Sequence, residues 1–511
     1  MPDSANHPLT TVGIFLTSYL GPFMMDLAAV LRRERGSTIH LYCKTEQQAN
    51  HYRASEHAGT FASIQNFVHF WEALRAPDLD SSAEFFRARS WEAKLNVTIN
   101  TLAVANRHVG LGYALGGFRH PRSRYGDSSY LQMVHAYNVQ IGYLEHELRT
   151  KGITSVISDN KEVAMVCRYL GIPFRTMARS RWEGLHYWEE AEHREAKAWQ
   201  RSFSQIPQAC VDDDPAKVVL PPPYVVGKVF IERAMRNANW TNVAKGMLHY
   251  FARHVYWVIK GYEKAKGYYL GEQLSRFVRQ KRDIRRMVGS ETTTLAKLAG
   301  TPFVFYPLHT EPEQALGQIS PEFFFQLEAI AAVSRDLPAG VKLAVKEVPN
   351  ACGRRPDNFY DQILRLKNVA MINLAEKGTE VIRESIGVVT IAGTAGLEAA
   401  AMGKPVISFG HHNPFNFLDH VWVVRDLTDL PALVQRMVNQ NFDTDKARRD
   451  GLRLIEAIRM SSFDMGPFDY INLERFPSEA SMAAYDKLLE SFEYDEARQP
   501  ISSTRAVKFA P

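Results

Sequence analysis

The stretch Val388–Gly410 reads VVTIAGTAGLEAAAMGKPVISFG, and its order of residue types decides the fold class. An apolar run of strand length, Val388–Ala392, enters Gly393-Thr394-Ala395-Gly396. A small-residue helix over Leu397–Met402 follows, then a second apolar run, Val406–Phe409. Strand, glycine-bearing turn, helix, strand is the repeating unit of a parallel sheet covered by helices. The small residues of the turn let a ligand approach the backbone. Free N–H groups and the positive dipole end at the helix start favour a phosphate there. Thr394 adds a hydroxyl donor. Glu398, expected in the first helical turn, either accepts from a ribose or sugar hydroxyl or complements the helix dipole.

Outward from this stretch the same alternation continues. Strands are expected at Phe303–Tyr306, Val341–Lys346 and Val369–Ile372. Helices are expected at Pro321–Arg335, with Ser320 as N-cap, and at about 357–366, Gly378–Ser385 and Leu427–Val438. Three further loops carry polar side chains. Tyr306-Pro-Leu-His-Thr-Glu-Pro-Glu313 crowds His309, Glu311 and Glu313 between two prolines. Such a loop either orients a sugar or shares a proton, or is a polar surface loop. Lys346-Glu347-Val348-Pro349 ends a strand, and Gly353-Arg354-Arg355-Pro356 follows it. Two adjacent guanidinium groups suit phosphate or carboxylate, or form a solvated basic loop. His411-His412-Asn413 follows Val406–Phe409; a third metal ligand is not identifiable, so no metal site is assigned. In a doubly wound sheet all four loops emerge at one carboxyl edge, where ligands bind.

The N-terminal part opens on the same grammar: a strand Thr11–Thr17, Gly21-Pro22, a helix Phe23–Arg35 and a strand Thr38–Tyr42. A helical stretch occupies about 80–107. Residues 110–117, GLGYALGG, have the wrong spacing for a dinucleotide fingerprint and read chiefly as a connection. Strand Ser155–Ser158 ends in Asp159-Asn160, and helix Glu162–Leu170 stops at Gly171 with Pro173 after it. Strand Phe174–Ala178 leads to the loop Arg179–Gly184, RSRWEG.

The bulk properties agree with a folded α/β protein. The chain has 511 residues, 45% hydrophobic and 23% charged, with four separated cysteines that fit a reducing compartment. No basic-then-apolar leader opens the sequence, and no apolar run reaches the ~20 residues of a membrane span, so a cytoplasmic protein is expected. Residues 251–287 hold ten Lys/Arg against three acids, an excess larger than the chain's net +5. This basic, aromatic, helical bridge (about 235–289) is read as the end of a first domain, 1–290. A second α/β domain spans 291–475, and a helix with a loose tail fills 476–511.

Taken together, YPLHTEPEQA, KLAVKEVP, GRRPDNFY and GTAGLEAAAMGKPVISFG resemble the bacterial capsular-polysaccharide-biosynthesis family, which includes transferases of Kdo-type acidic sugars. Related blocks occur in nucleotide-sugar 2-epimerases. The resemblance covers about 300–425 well and the N-terminal part in outline. It implies a GT-B-like fold, two Rossmann-like doubly wound domains facing a cleft. It also implies a glycosyltransferase that moves sugar from a nucleotide-activated donor, CMP- or UDP-linked, to a capsular or other surface polysaccharide. The alternatives are a nucleotide-sugar epimerase or hydrolase and a non-catalytic assembly protein. On this resemblance Glu347, Thr394, Gly396 and Glu398 fall on the donor site, with Lys346, Arg354, Arg355, Gly393, Ala395, His411, Glu311 and Glu313 around it. Where the family commonly has Lys-Glu-His-Pro, this chain has Val348, which cannot contact a phosphate. Either Arg354, Arg355 or His309 substitutes, or the donor differs, or the site is degenerate. The catalytic carboxylate is expected in the first domain: Asp159 first, Glu183 second, Asp26 third, with His309 as a further catalytic candidate. No DxD motif points to an obligatory metal or cofactor. A glycan or lipid-linked glycan is the expected acceptor. The basic bridge either contacts the anionic inner membrane or is a solvated helical link, and nucleic acid is not expected.

Overall fold

A computed structural model describes residues 8–16, 20–104, 106, 109, 128–182, 184–193, 195–208, 232, 235–236, 239–262, 265, 268–310, 320–323, 325–466, 476–477 and 479–496. They form two compact units. One draws on Met1–Leu102, Ser128–Gln205 and Glu456–Pro511, the other on Ala103–Asp127 and Ile206–Ile455. The helical stretch read as closing a first domain therefore belongs with the second α/β unit, and the last described helix returns to the first.

The first unit is built on strands β1 (Thr11–Leu16), β2 (Thr38–Cys43), β3 (Ser63–Asn66), β4 (Ser155–Ser158), β5 (Phe174–Arg179) and β6 (Leu185–Glu189). The order is β3-β2-β1-β4-β5-β6, closed by the short distant strand β13 (Phe463–Asp464). From β3 to β5 all pairs are parallel, with Thr11 opposite Thr38 and Val12 opposite Ser155. β6 turns back antiparallel on β5, and β13 pairs antiparallel with β6. The loop Arg179–Gly184 is thus a hairpin connection. Gly184 lies so close to the backbone of Gly466 that a Cβ would collide there. The helix Gly21–Arg35 begins at Gly21, because Pro22 suits a first helical turn, and Gly36 at φ 66 stops it. The helical stretch expected over about 80–107 is two helices, Ser81–Leu95 and Ile99–Val104. Asn96, at φ 54, breaks it. The expected C-terminal helix is Ala480–Glu496, docked on the first unit, and the tail read after it lies outside the described residues. Ala484, Leu488 and Phe492 join the core over β1 and the first helix, and Ser491 accepts from the buried Arg175 guanidinium at 2.8 Å through its hydroxyl.

The second unit is a purely parallel six-stranded sheet: β7 (Phe303–Pro307), β8 (Lys342–Lys346), β9 (Val369–Ile372), β10 (Val388–Thr390), β11 (Val406–Ser408) and β12 (Val421–Val423). The order is β9-β8-β7-β10-β11-β12. The chain lays three strands outward from β7, returns to β7's other side with β10, and lays three outward the other way. That is the Rossmann order, whose crevice opens where the direction reverses, between the first and fourth strands. The strands are short continuous apolar runs buried on both faces, as helices on both sides of a parallel sheet require. The α/β class and two Rossmann-like units read from the sequence are therefore present.

Candidate functional site

Because β7, β8, β10 and β11 are parallel, their following loops lie at one edge, and the second unit ties these loops together with buried hydrogen bonds. His309, two residues past β7, is the central tie. Its Nε2 stands 3.1 Å from the Ala392 backbone N and 3.2 Å from Thr390 Oγ1, across the β7/β10 seam. A backbone N–H only donates, so Nε2 accepts and the ring proton sits on Nδ1. Burial, reinforced by the Arg355 charge, pushes the imidazole down to about 3. His309 is neutral at physiological pH and its only free lone pair is taken. That makes it a fixed donor through Nδ1–H, not a base. Nδ1 is buried and has no acceptor among the described residues. The backbone of His309 is itself clamped: Gln326 accepts from its N–H at 2.8 Å and donates to its carbonyl at 2.9 Å.

The loop after β10 is held from its other side. The Asn413 amide donates to Ile391 O at 2.7 Å and to Ser408 Oγ at 2.8 Å. The Ser320 hydroxyl donates to Ile391 O at 3.3 Å. Ser320 is therefore no helix cap. A short turn Pro321–Phe323 follows it, and the helix starts at Gln326.

Gly393, extended at φ −160, is the N-cap of the helix Thr394–Ala401 and offers no side-chain cap. A Cβ on Gly393 would sit 3.1 Å from His309 Nε2, and one on Gly396 would meet Phe415 and Thr390 at 2.7 Å. Gly396 thus permits close helix–strand packing, while Gly393 keeps the turn open beside the imidazole. The helix begins three residues earlier than the sequence suggested, which moves Glu398 from the first turn to the second. Glu398 then shares a face with Thr394, four residues before it, and Thr394 is exposed. Ala395 is half-buried.

Past β8 the structure separates the residues that the sequence grouped. Glu347 is 1% exposed and fully engaged. It accepts two bonds from Arg355 at 2.8 Å each, one from Tyr360 Oη at 2.8 Å and one from the Val348 N–H at 2.6 Å. The bidentate pair is buried and the guanidinium also lies over the Phe359 ring, 4.6 Å from its centroid. Glu347 and Arg355 are thus committed to each other and shape the loop from within. Arg354 is half-buried beside them. Lys346 donates to Leu374 O at 3.2 Å, tying the β8 and β9 loops, and burial pulls its ammonium down to about 8. Gly353, at φ 81, presses on the backbone of Gln280, and its N–H donates to Asp283 at 2.8 Å. This contact anchors the helix Leu270–Met287 to the second unit.

His411 is half-buried; its Nε2 lies 3.0 Å from Val424 O and its Nδ1 3.7 Å from Glu322. Among the described residues no three His, Cys, Asp or Glu side chains are gathered to hold a metal. Glu183, Glu311, Glu313 and residues 110–117 lie outside the described residues. In the first unit, Asp159 is half-buried at the end of β4, beside β1, the equivalent reversal point of that sheet. It does not cap the following helix; Asn160 does, accepting from the Val163 N–H at 2.9 Å. Asp26 is exposed within the first helix. Gln326 and Tyr360 carry no sequence signal of their own, and Asn413 is read only as the end of His411-His412-Asn413. They act through single hydrogen bonds between distant segments, and no local pattern announces those.

The reversal seam and the loops tied across it define a Rossmann-type α/β protein. Residues 233–416 match the family described as "Capsule polysaccharide biosynthesis protein", a stretch that contains every loop of the second unit described above. Over that stretch the resemblance seen in the sequence holds. No curated protein sequence matches the chain. Among solved structures it is similar to Thermosulfurimonas dismutans KpsC, beta Kdo 2,7 transferase (13% identity, 68% of this chain and 90% of that one, TM-score 0.31). It is also similar to a Neisseria meningitidis UDP-GlcNAc 2-epimerase bound to UDP-GlcNAc (10%, 94% and 99%, TM-score 0.27) and to Anabaena HepE in complex with UDP and glucose (10%, 95% and 100%, TM-score 0.29).

Proposed function

We propose that the second unit binds the phosphate-bearing part of a nucleotide-activated sugar, and that the protein transfers that sugar to a capsular or other surface polysaccharide. The observation that carries this reading is the β7/β10 seam. There the His309 ring, whose buried Nδ1–H has no acceptor among the described residues, stands against a helix start that no side chain caps. The N–H groups of that helix start are what a leaving phosphate would take. Thr394, exposed, and Glu398, half-buried on the same helix face, suit phosphate and sugar or ribose hydroxyls respectively. Glu347 and Arg355 act by holding the β8 loop in shape. The family match adds glycan chemistry to a fold that many activities share. Transfer also needs a carboxylate to take the acceptor proton, and Asp159 is the residue assigned to it.

The test is a thermal-shift titration of the purified protein with CMP, UDP, GDP and their sugars. One nucleotide is expected to raise the midpoint in a concentration-dependent way, by about 2.7 kcal/mol in stability at a hundredfold excess over Kd. Gly393→Val, which fills the turn beside His309, is expected to abolish that rise. If no nucleotide shifts the midpoint, the reading fails. A shift followed by turnover of the nucleotide sugar without any glycan acceptor would replace transfer with epimerisation or hydrolysis.

A further inference from the structure

The helix Trp240–Ile259 packs against the helix Leu270–Met287 along one side only. Gly246 receives the Phe277 ring, Tyr250 meets Phe277 edge-on at 5.5 Å, and Trp257 meets Tyr268 at 5.5 Å. Only Val243 and Trp257 of its side chains are buried. At 100° per residue, Trp240, Leu248, Phe251, Val255, Val258 and Ile259 fall on one outward stripe, about 30 Å long for a twenty-residue helix. All six are exposed, Leu248 at 69% and Ile259 at 75%. A folded protein rarely leaves a contiguous apolar stripe of this kind in water unless it has a partner.

The charge pattern says which partner. From Trp240 to Tyr262 there is no Asp or Glu. Lys245 borders the stripe, and His249, Lys260 and Arg253 follow further round the helix, the Arg253 guanidinium lying 4.9 Å over the Trp257 ring; Arg285 is exposed on the partner helix. Among the described residues Lys245, Arg253, Lys260 and Arg285 have no ion pair. By contrast, other cations of the same hairpin are committed to acids: Arg279 to Glu272, Arg282 to Asp357, and Arg286 to Glu291 and Asp361. The Lys281 ammonium lies 3.7 Å over the Trp240 ring. Two copies of such a stripe would bring uncompensated cations together, which opposes self-association. No helix of the described residues is long and apolar enough to cross a membrane. An apolar stripe bordered on one side by cations that have no ion pair among the described residues instead matches the interface of an anionic bilayer, with the helix lying in its plane.

We propose that the face of Trp240–Ile259 docks the protein on an anionic lipid surface, its apolar stripe in the acyl boundary and Lys245 and Lys260 reaching the phosphate level. The proposal goes beyond donor binding and stands apart from it. It is tested by co-sedimenting the full-length protein with phosphatidylcholine vesicles, with and without about 30% phosphatidylglycerol. Binding is expected with the anionic vesicles, weakening at about 0.5 M salt as the cations are screened. Leu248→Glu with Val258→Glu is expected to lower bound protein about tenfold or more with an unchanged melting midpoint, since both sites are exposed. Lys245→Glu with Lys260→Glu, which leaves the stripe intact, is a second reading in case the first pair disturbs folding, and is expected to lose the anionic preference. Absence of binding to anionic vesicles would overturn the proposal, as would wild-type levels of binding by both paired variants. A wild-type dimer that Leu248→Glu dissociates, with no lipid binding, would assign the face to a second copy instead.

Discussion

The two sheets share one strand order through six strands, parallel through five in the first and through all six in the second, yet they use the reversal point differently. In the second unit the seam between β7 and β10 is locked by side chains that reach across it. The His309 ring holds the Ala392 N–H, the Gln326 amide holds the His309 backbone, and Asn413 and Ser320 hold Ile391 O. In the first unit the corresponding seam, between β1 and β4, presents Asp159 half-buried, and Asn160 takes over the helix cap. The first sheet also abandons parallel pairing at β6, where a hairpin and the returning strand β13 close its edge. One unit invests buried polar contacts in fixing its loops, which is what a rigid binding surface needs. The other presents at its seam the carboxylate for which the proton-accepting role is proposed, while Asn160 caps the helix.

If that contrast is right, the second unit is the more fragile of the two at its edge. The largest effect is expected from Glu347→Gln. It removes the charge that the buried Arg355 faces from 2.8 Å and leaves a cation without its counter-charge. A loss of about 3–5 kcal/mol is expected, read from urea unfolding. A loss below about 1 kcal/mol would mean the pair is not the anchor of the β8 loop. Next comes Gly396→Val. The added atoms meet Phe415 and Thr390, so about 1–3 kcal/mol should be lost as helix and strand are forced apart. An unchanged unfolding midpoint would show that the helix Thr394–Ala401 can move away from β10 at little cost.

How much of this was legible before the structure follows from where each signal resides. The parallel architecture was readable because buried strands are continuous apolar runs and helix stops are local: Gly36 and Gly171 both end helices in the left-handed conformation. The loop stations at β7, β8, β10 and β11 followed from that alternation. The start of the helix at Thr394 was missed because Thr-Ala-Gly reads as turn chemistry. Only the extended Gly393 shows that the helical bonds begin there. The fate of Glu347 and Arg355 was also hidden. Eight residues apart in sequence, they look like two ligand-facing charges, and only the fold brings them into one buried pair. The 21-residue helix Tyr130–Thr150 was overlooked, although Ser129 and Gln132 spell the capping box that the structure forms. The short edge strands β12 and β13 have too few residues to carry a pattern.

His309 sharpens the comparison through pH. Its folded value, about 3, lies below the ordinary 6.5, so between those values the unfolded chain holds a proton that the folded chain does not. Acid therefore favours unfolding: the contribution is level above 6.5 and is lost as pH falls through this window, at up to about 1.4 kcal/mol per pH unit. Burial also lowers His40, His186 and His420, so the measurement is a difference. His309→Gln should show an acid slope shallower than the wild type's by about half a proton at pH 6.5, rising to about one proton at pH 5. Equal slopes would mean that the ring is not held neutral at the seam.

The smallest stability effect is expected in the first unit, from Asp159→Asn. Asn160 supplies the cap, so the helix Lys161–Leu170 keeps its first turn whichever residue stands at 159. The unfolding free energy should change by no more than about 0.5 kcal/mol. Transfer to a glycan acceptor should nonetheless fall by about a hundredfold or more, because the amide cannot take the acceptor proton. Nucleotide binding by the second unit should be unaltered. A variant that loses several kcal/mol would place Asp159 in the framework with Glu347. One that keeps both stability and transfer would move the catalytic assignment to another carboxylate, and the two seams would then differ in rigidity but not in chemistry.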